Sequence, residues 1–232
     1  MNKALLAGIG TAVLTTAASA EITGAVAVSY SKTVEDFGGA STNLGITDIY
    51  LTSNDAADVA LNVFDMNLGS AAPASYWQSA TGAGWLPNNL GSIFDTQALR
   101  EGDSFVTIGG FGADGFQGPG AGQGTGLDPN FGGNSASAPG ALAGWFNSSP
   151  PNVNGSVQAL DAIGGGLGVL IGRFSVANSD APDMIGTDMS VTWNQGLGTG
   201  GQQGSFSVAA VPAPGALALM GLAGLAGRRR RG

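Results

Sequence analysis

Apolar residues in the middle of this chain recur at every second position, and that period decides what it can build. Val26, Val28 and Tyr30 alternate with small residues, Ile49 and Leu51 repeat the pattern, and Val59, Leu61 and Val63 resume it after a Ser53-Asn54-Asp55 turn. Phe105-Val106-Thr107-Ile108 is a further short apolar run. Val169, Ile171 and Arg173 fall on one face of a candidate strand, with Leu170 and Phe174 on the other. Met189, Val191 and Trp193 alternate, which marks Trp193 as core, and Phe206, Val208 and Ala210 close the series. Period two with Gly, Asn and Asp between the runs predicts antiparallel strands with one wet face. No long helical period is present; Ser92 to Arg100 offers at most a turn or two. The expected body is all-β, an antiparallel β-sandwich or jelly roll. A β-solenoid would suit the glycine content, but no fixed repeat of about 20–30 residues is found.

Both ends carry a different signal. Met1-Asn2-Lys3 is a short basic start, Ala4 to Leu14 is apolar and uncharged, and small residues follow up to Ala18-Ser19-Ala20. Basic, hydrophobic and A-x-A parts in that order predict a signal peptide over residues 1–20, cut after Ala20 so that Glu21 becomes the new N-terminus. The apolar run is shorter than the about 20 residues a spanning helix needs.

At the other end, Pro212-Ala213-Pro214 forms a hinge that no strand or helix continues through easily. An uncharged Leu/Ala/Gly run from Gly215 to Gly227 follows, then Arg228, Arg229, Arg230 and Arg231. As a helix the run is about 20 Å long, against a hydrocarbon core of about 30 Å. The arginines resist transfer and stay cytoplasmic. The segment therefore reads as a hydrophobic helix suited to temporary retention.

Hinge, apolar run and arginine block together resemble the PEP-CTERM sorting signal of exported bacterial proteins. Pro212, Pro214, Gly215 and Arg228 to Arg231 stand at the expected places, and Ala213 replaces the acidic residue between the prolines. The resemblance covers residues 212–232 alone. It implies passage through the export machinery, a pause in the inner membrane, recognition by an exosortase-type enzyme, and delivery to the cell surface or extracellular matrix of a Gram-negative-type bacterium. It implies nothing about the activity of the body, residues 21–211.

Composition restricts that activity. The chain has no cysteine and no histidine, so nucleophilic catalysis by Ser-His-Asp or Cys-His arrangements is excluded. Outside the signal and tag the basic residues are Lys32, Arg100 and Arg173, against sixteen acidic ones. A body this acidic repels phosphate backbones and is not a nucleic-acid binder. Gly110-Phe111-Gly112-Ala113-Asp114-Gly115 matches G-x-G-x-x-G, but Phe116-Gln117-Gly118-Pro119-Gly120 cannot build the helix that dinucleotide binding needs. Residues 109–140 are rich in glycine and are expected as a long loop across the sheets.

Two constellations remain. Asp180, Asp183 and Asp188, or Asn54, Asp55 and Asp58, put oxygen ligands on loops where a structural calcium could bind, without EF-hand spacing; solvated loop acids are the plainer reading. Tyr76, Trp77 and Trp85 lie in a Gly/Pro/Ser-rich connection where an extracellular polysaccharide could stack on them, while packing over a sheet is the ordinary use of such residues. The expectation is a single β-domain with no catalytic residues and no cofactor, of structural or adhesive role. A carbohydrate-binding module is the alternative, and a two-carboxylate glycoside hydrolase the third reading.

Overall fold

The computed structural model describes residues 21–68, 73–82, 84–87, 90–109, 111–112, 115–116 and 124–211. The predicted signal, with Ala18 and Ala20, and the predicted tag, from Pro212 through Arg231, lie outside the described residues. The strands are β1 (Ile22–Glu35), β2 (Ser41–Ser53), β3 (Val59–Asn67), β4 (Phe105–Val106), β5 (Phe111–Gly112), β6 (Gly115–Phe116), β7 (Thr125–Leu127), β8 (Ala143–Asn147), β9 (Gln158–Leu160), β10 (Gly166–Ala177), β11 (Asp188–Asn194) and β12 (Gln202–Ala210). One short helix, α1 (Gln97–Glu101), starts where the Thr96 hydroxyl accepts from the Leu99 N–H. No helix among the described residues is long and apolar enough to cross a membrane.

The expectation of a β-rich body holds, but the strands do not separate into two antiparallel layers. They form one mixed sheet in the order β4-β10-β2-β1-β12-β11-β3-β8-β7, with β9 also on β10. The first and last strands are its parallel pair, Ala25 opposite Val208 and Ala27 opposite Ala210. The sheet curls until its ends nearly meet. At that seam the Trp145 indole N–H donates to the Thr107 carbonyl at 3.0 Å, and the Ile108 N–H donates to the Thr125 hydroxyl at 3.2 Å. Near-closure hides most of the backbone edge that an open sheet would expose.

The barrel interior is the main core. Small Ala25 and Ala27 of β1 face it together with Ile49, Leu51, Val169, Val191 and Val208. A line of aromatics fills its width: Tyr76, Trp85 and Phe174 meet with centroids 5.4–5.8 Å apart, Trp85 meets Phe131 at 5.4 Å, and Phe131 meets Trp145 at 6.3 Å. Each such pair contributes about 0.5–1.5 kcal/mol beyond burial. Trp193 is buried as its alternation predicts.

The wet outer face expected for these strands is instead covered on one side of the barrel. Val26 and Val28 point outward, yet pack with Tyr50, Phe105, Leu160 and Leu170. Val34, Leu44 and Ile46 are covered by Ala98 of α1 and by Trp77. This explains why β2 is buried on both faces from Leu44 to Leu51. In β10 the predicted face assignment fails at a bulge between Leu170 and Gly172. The extra residue sends Val169, Ile171 and Phe174 to the main core and leaves Arg173 outside with Leu170.

The glycine-rich stretch 109–140 is not loop throughout. Phe111–Gly112 pairs antiparallel with Gly115–Phe116, so Gly115 lies in a strand and opens no helix. Thr125–Leu127 joins the sheet as β7, and Asp128 caps a 3-10 turn that carries the fully buried Phe131 into the core.

Candidate functional site

Two polar clusters occupy the covered outer layer. The first grows from neighbouring strands, since β2 and β10 place Asp48 opposite Arg173. Arg173 Nε donates to Asp48 Oδ1 at 2.7 Å and Nη2 to Oδ2 at 3.0 Å, a bidentate pair whose side chains are 11% and 5% exposed. Arg173 Nη1 donates to the Arg100 carbonyl at 2.8 Å, and the guanidinium lies over the Phe105 ring at 5.4 Å. Tyr30 and Tyr50 donate their hydroxyls to Asp48 Oδ2. Burial opposes the Arg173 charge, but Asp48 more than offsets it, so the guanidinium pKa is raised. Burial first, then the Asp48 charge, raises both tyrosines, which stay neutral donors. Every member has a partner, so the cluster holds β1, β2, β10 and the end of α1 in one arrangement.

The second cluster lies at the β1–β2 turn. Gly38 and Gly39, at φ +92° and +83°, let the chain reverse there. Asp36 reaches across to the 79–81 segment, its Oδ1 accepting from the Ser79 hydroxyl at 2.8 Å and its Oδ2 from the Ala80 N–H at 2.8 Å. Asp103 accepts from the Ser79 N–H at 2.7 Å on the other side. Burial, aided by the nearby Asp36 charge, pushes the Asp103 carboxyl up to about 7. Two acids on one serine resemble a catalytic arrangement, but Ser79 and Asp103 are 4% and 3% exposed. Through these bonds Asp36 and Asp103 fasten the 79–81 segment from two sides.

The residues singled out in the sequence are placed otherwise. Tyr76 and Trp85 are 5% and 0% exposed, with the Trp85 indole N–H on the Ala136 carbonyl at 2.8 Å. Only Trp77 of the three keeps partial exposure, and it packs against the cluster of Val34, Leu44, Ile46 and Ala98. The sugar-stacking reading of Tyr76, Trp77 and Trp85 is therefore corrected: two of the three rings serve the core. Among the described residues, exposed Phe37 and Phe94 lie 6.2 Å apart inclined at 61°, so the two rings present no flat platform.

Asp180, Asp183 and Asp188 are all exposed and are not gathered. Asp183 accepts from the Ile185 N–H, Asp188 pairs with the Ser207 hydroxyl, and Asp180 lines an open groove of about 540 Å³ with Ser31, Asn43, Leu44, Asn178 and Ser179. Among the described residues no three acidic side chains come close enough to hold a metal ion. Asn54, Asp55 and Asp58 organise a turn: Asn54 Oδ1 accepts from the Glu21 N–H, Asp55 from Ala57 N–H, and Asp58 from the Ser53 hydroxyl.

The three basic residues of the body are all paired, Lys32 with Glu101 at 3.0 Å, Arg100 with Asp95, and Arg173 with Asp48. Their charges are thus spent within the fold, and the remaining acids set the sign of the surface. The chain matches no known protein family, no curated protein and no solved structure.

Proposed function

We propose that this chain is an exported, non-enzymatic protein of the cell surface or extracellular matrix, with a structural or adhesive role. Residues 1–20 direct export and residues 212–232 hold the chain at the membrane until it is sorted. The observation that supports this reading is the pairing of β1 with β12. The sheet opens at Ile22, one residue past the expected cleavage point, and its last strand ends at Ala210, two residues before Pro212. First and last strands are hydrogen-bonded to each other, and the described core between them is assembled from residues 22 to 208. Removal of either segment thus takes away none of the described strands.

The alternatives lose ground on particular residues. A carbohydrate-binding surface at Tyr76–Trp85 is opposed by the inward turn of two of its rings. A two-carboxylate hydrolase needs acids with room for a sugar between them, whereas Asp36 and Asp103 share the buried Ser79.

Cell fractionation tests the proposal. The full chain should partition with the membrane, its body open to external protease. Deleting Pro212–Gly232 should release a folded, soluble body, and neutral replacements of Arg228 to Arg231 should release much of it by removing the stop. A truncated chain that stays membrane-bound, or a full chain confined to the cytoplasm, would refute it.

A further inference from the structure

Strand β1 is hydrogen-bonded to β2 along its whole length, but on its other side β12 accompanies it only from Ala25 to Ala27. From Val28 to Glu35 that edge meets no strand among the described residues. The orientation of its backbone follows from β12. Val208 gives its N–H to Thr187 and takes Gly186 on its carbonyl, both on the side away from β1. The odd-numbered residues of β12 therefore face β1, and in the parallel register Ala209 bonds Ala25 and Ala27. By alternation Ser29, Ser31, Thr33 and Glu35 carry outward N–H and C=O groups. Their side chains are exposed, and the groove at Ser31 leaves space on that face. An unpaired edge of this kind is a template for another strand.

We propose that this edge pairs with the same edge of a second copy, antiparallel about a two-fold axis at Ser31. In that register Val28 lies opposite Val34, Ser29 opposite Thr33 and Tyr30 opposite Lys32. Apolar meets apolar, hydroxyl meets hydroxyl, and the cation meets an aromatic ring. Shifting the axis to Lys32 would set two ammonium groups against each other. The window also fits: pairing Val28–Val34 with itself uses the free stretch and stops short of Ala27, which β12 occupies in each copy. Lys32, the residue that would ordinarily guard such an edge, is neutralised by Glu101. This inference rests on the strand ladder and is independent of the export reading.

The chain has no cysteine of its own, so single thiols report the register directly in purified full-length protein under mild oxidation. Ser31→Cys should give a covalent dimer as its main species, because the two sulfurs meet across the axis at a spacing a disulfide accepts. Ser29→Cys and Thr33→Cys should form no disulfide alone and cross-link when mixed. Leu197→Cys, exposed in the turn between β11 and β12, should form no cross-link. Ser31→Pro removes one outward N–H without touching the β2 ladder, and should abolish the dimer seen by sedimentation while leaving the β-rich circular dichroism spectrum unchanged. A Ser31→Cys protein that cross-links no more than Leu197→Cys, or a Ser31→Pro protein that sediments as wild type, would overturn the proposal. So would a position-31 thiol that cross-links only after Pro212–Gly232 is deleted, since the chain's own tail would then hold the edge.

Discussion

Arg173 and Asp48 form a two-pronged ion pair, 2.7 and 3.0 Å long, under a cover supplied by α1 and the connection that precedes it. Removing one partner leaves the other charge buried and uncompensated, which costs about 3–5 kcal/mol. Arg173→Met and Asp48→Leu should each lower urea stability by about that amount, and the double variant should recover most of the loss. Additive losses in the double variant would mean the two charges act separately.

The Asp103 carboxyl, raised to about 7 by burial, makes stability fall as pH rises. Between the unfolded value of 3.8 and about 7, the native state holds a proton that the unfolded chain releases. The contribution is complete below pH 4, declines by up to about 1.4 kcal/mol per pH unit, and is lost above pH 7. The groups facing Asp103 are Asp36, which reinforces the shift, and Arg173, which opposes it. Relative to Asp103→Asn, wild-type stability measured by urea at pH 4 to 8 should show this decline. Parallel curves would show that Asp103 does not titrate in this range.

At the barrel seam, Trp145→Phe removes the donor to the Thr107 carbonyl and should cost about 1–3 kcal/mol beyond the lost volume. Trp193 is the control, for its buried indole N–H has no hydrogen-bond partner among the described residues. Trp193→Phe should therefore be the milder change, as thermal or urea melts of the two variants would reveal. The reverse order would remove the seam's hydrogen bond from the account.

Because Tyr76, Trp85, Trp145 and Trp193 lie inside, soluble polysaccharides have few rings to touch. Titration with bacterial polysaccharides should leave tryptophan emission in place, and acrylamide should quench chiefly the half-exposed Trp77. A saturable emission shift, lost in Trp77→Ala, would revive the carbohydrate-binding alternative.

The strands were legible because their pattern is local. All the runs named from period two, from Val26 to Ala210, lie in or at the ends of strands, and Trp193 is core. The faces were less legible. Phe174 joins Val169 and Ile171 on the core face, and Arg173 leaves it, only through a bulge that no residue there announces. Tyr76 and Trp85 sit among Gly, Ser and Pro, a setting that suggests exposure, but their segment folds back over the sheet and drives both rings inward. The Asp103 cluster could not be read at all: Ser79 is 24 positions from Asp103 and 43 from Asp36, and nothing in their spacing marks them as neighbours. The parallel pairing of Ala27 with Ala210 was hidden for the same reason, since only the closing sheet brings the ends together.

If residues 1–20 are an export segment, their removal leaves a body that starts at Glu21. Glu21 is already tied in, its N–H on Asn54 Oδ1 at 2.8 Å, and Ile22 begins the strand that joins β2 to β12. N-terminal sequencing of the protein recovered from the exporting cell measures this directly. The expected mature chain begins Glu21-Ile22-Thr23. A chain that retains Met1, or one cut inside β1, would contradict it.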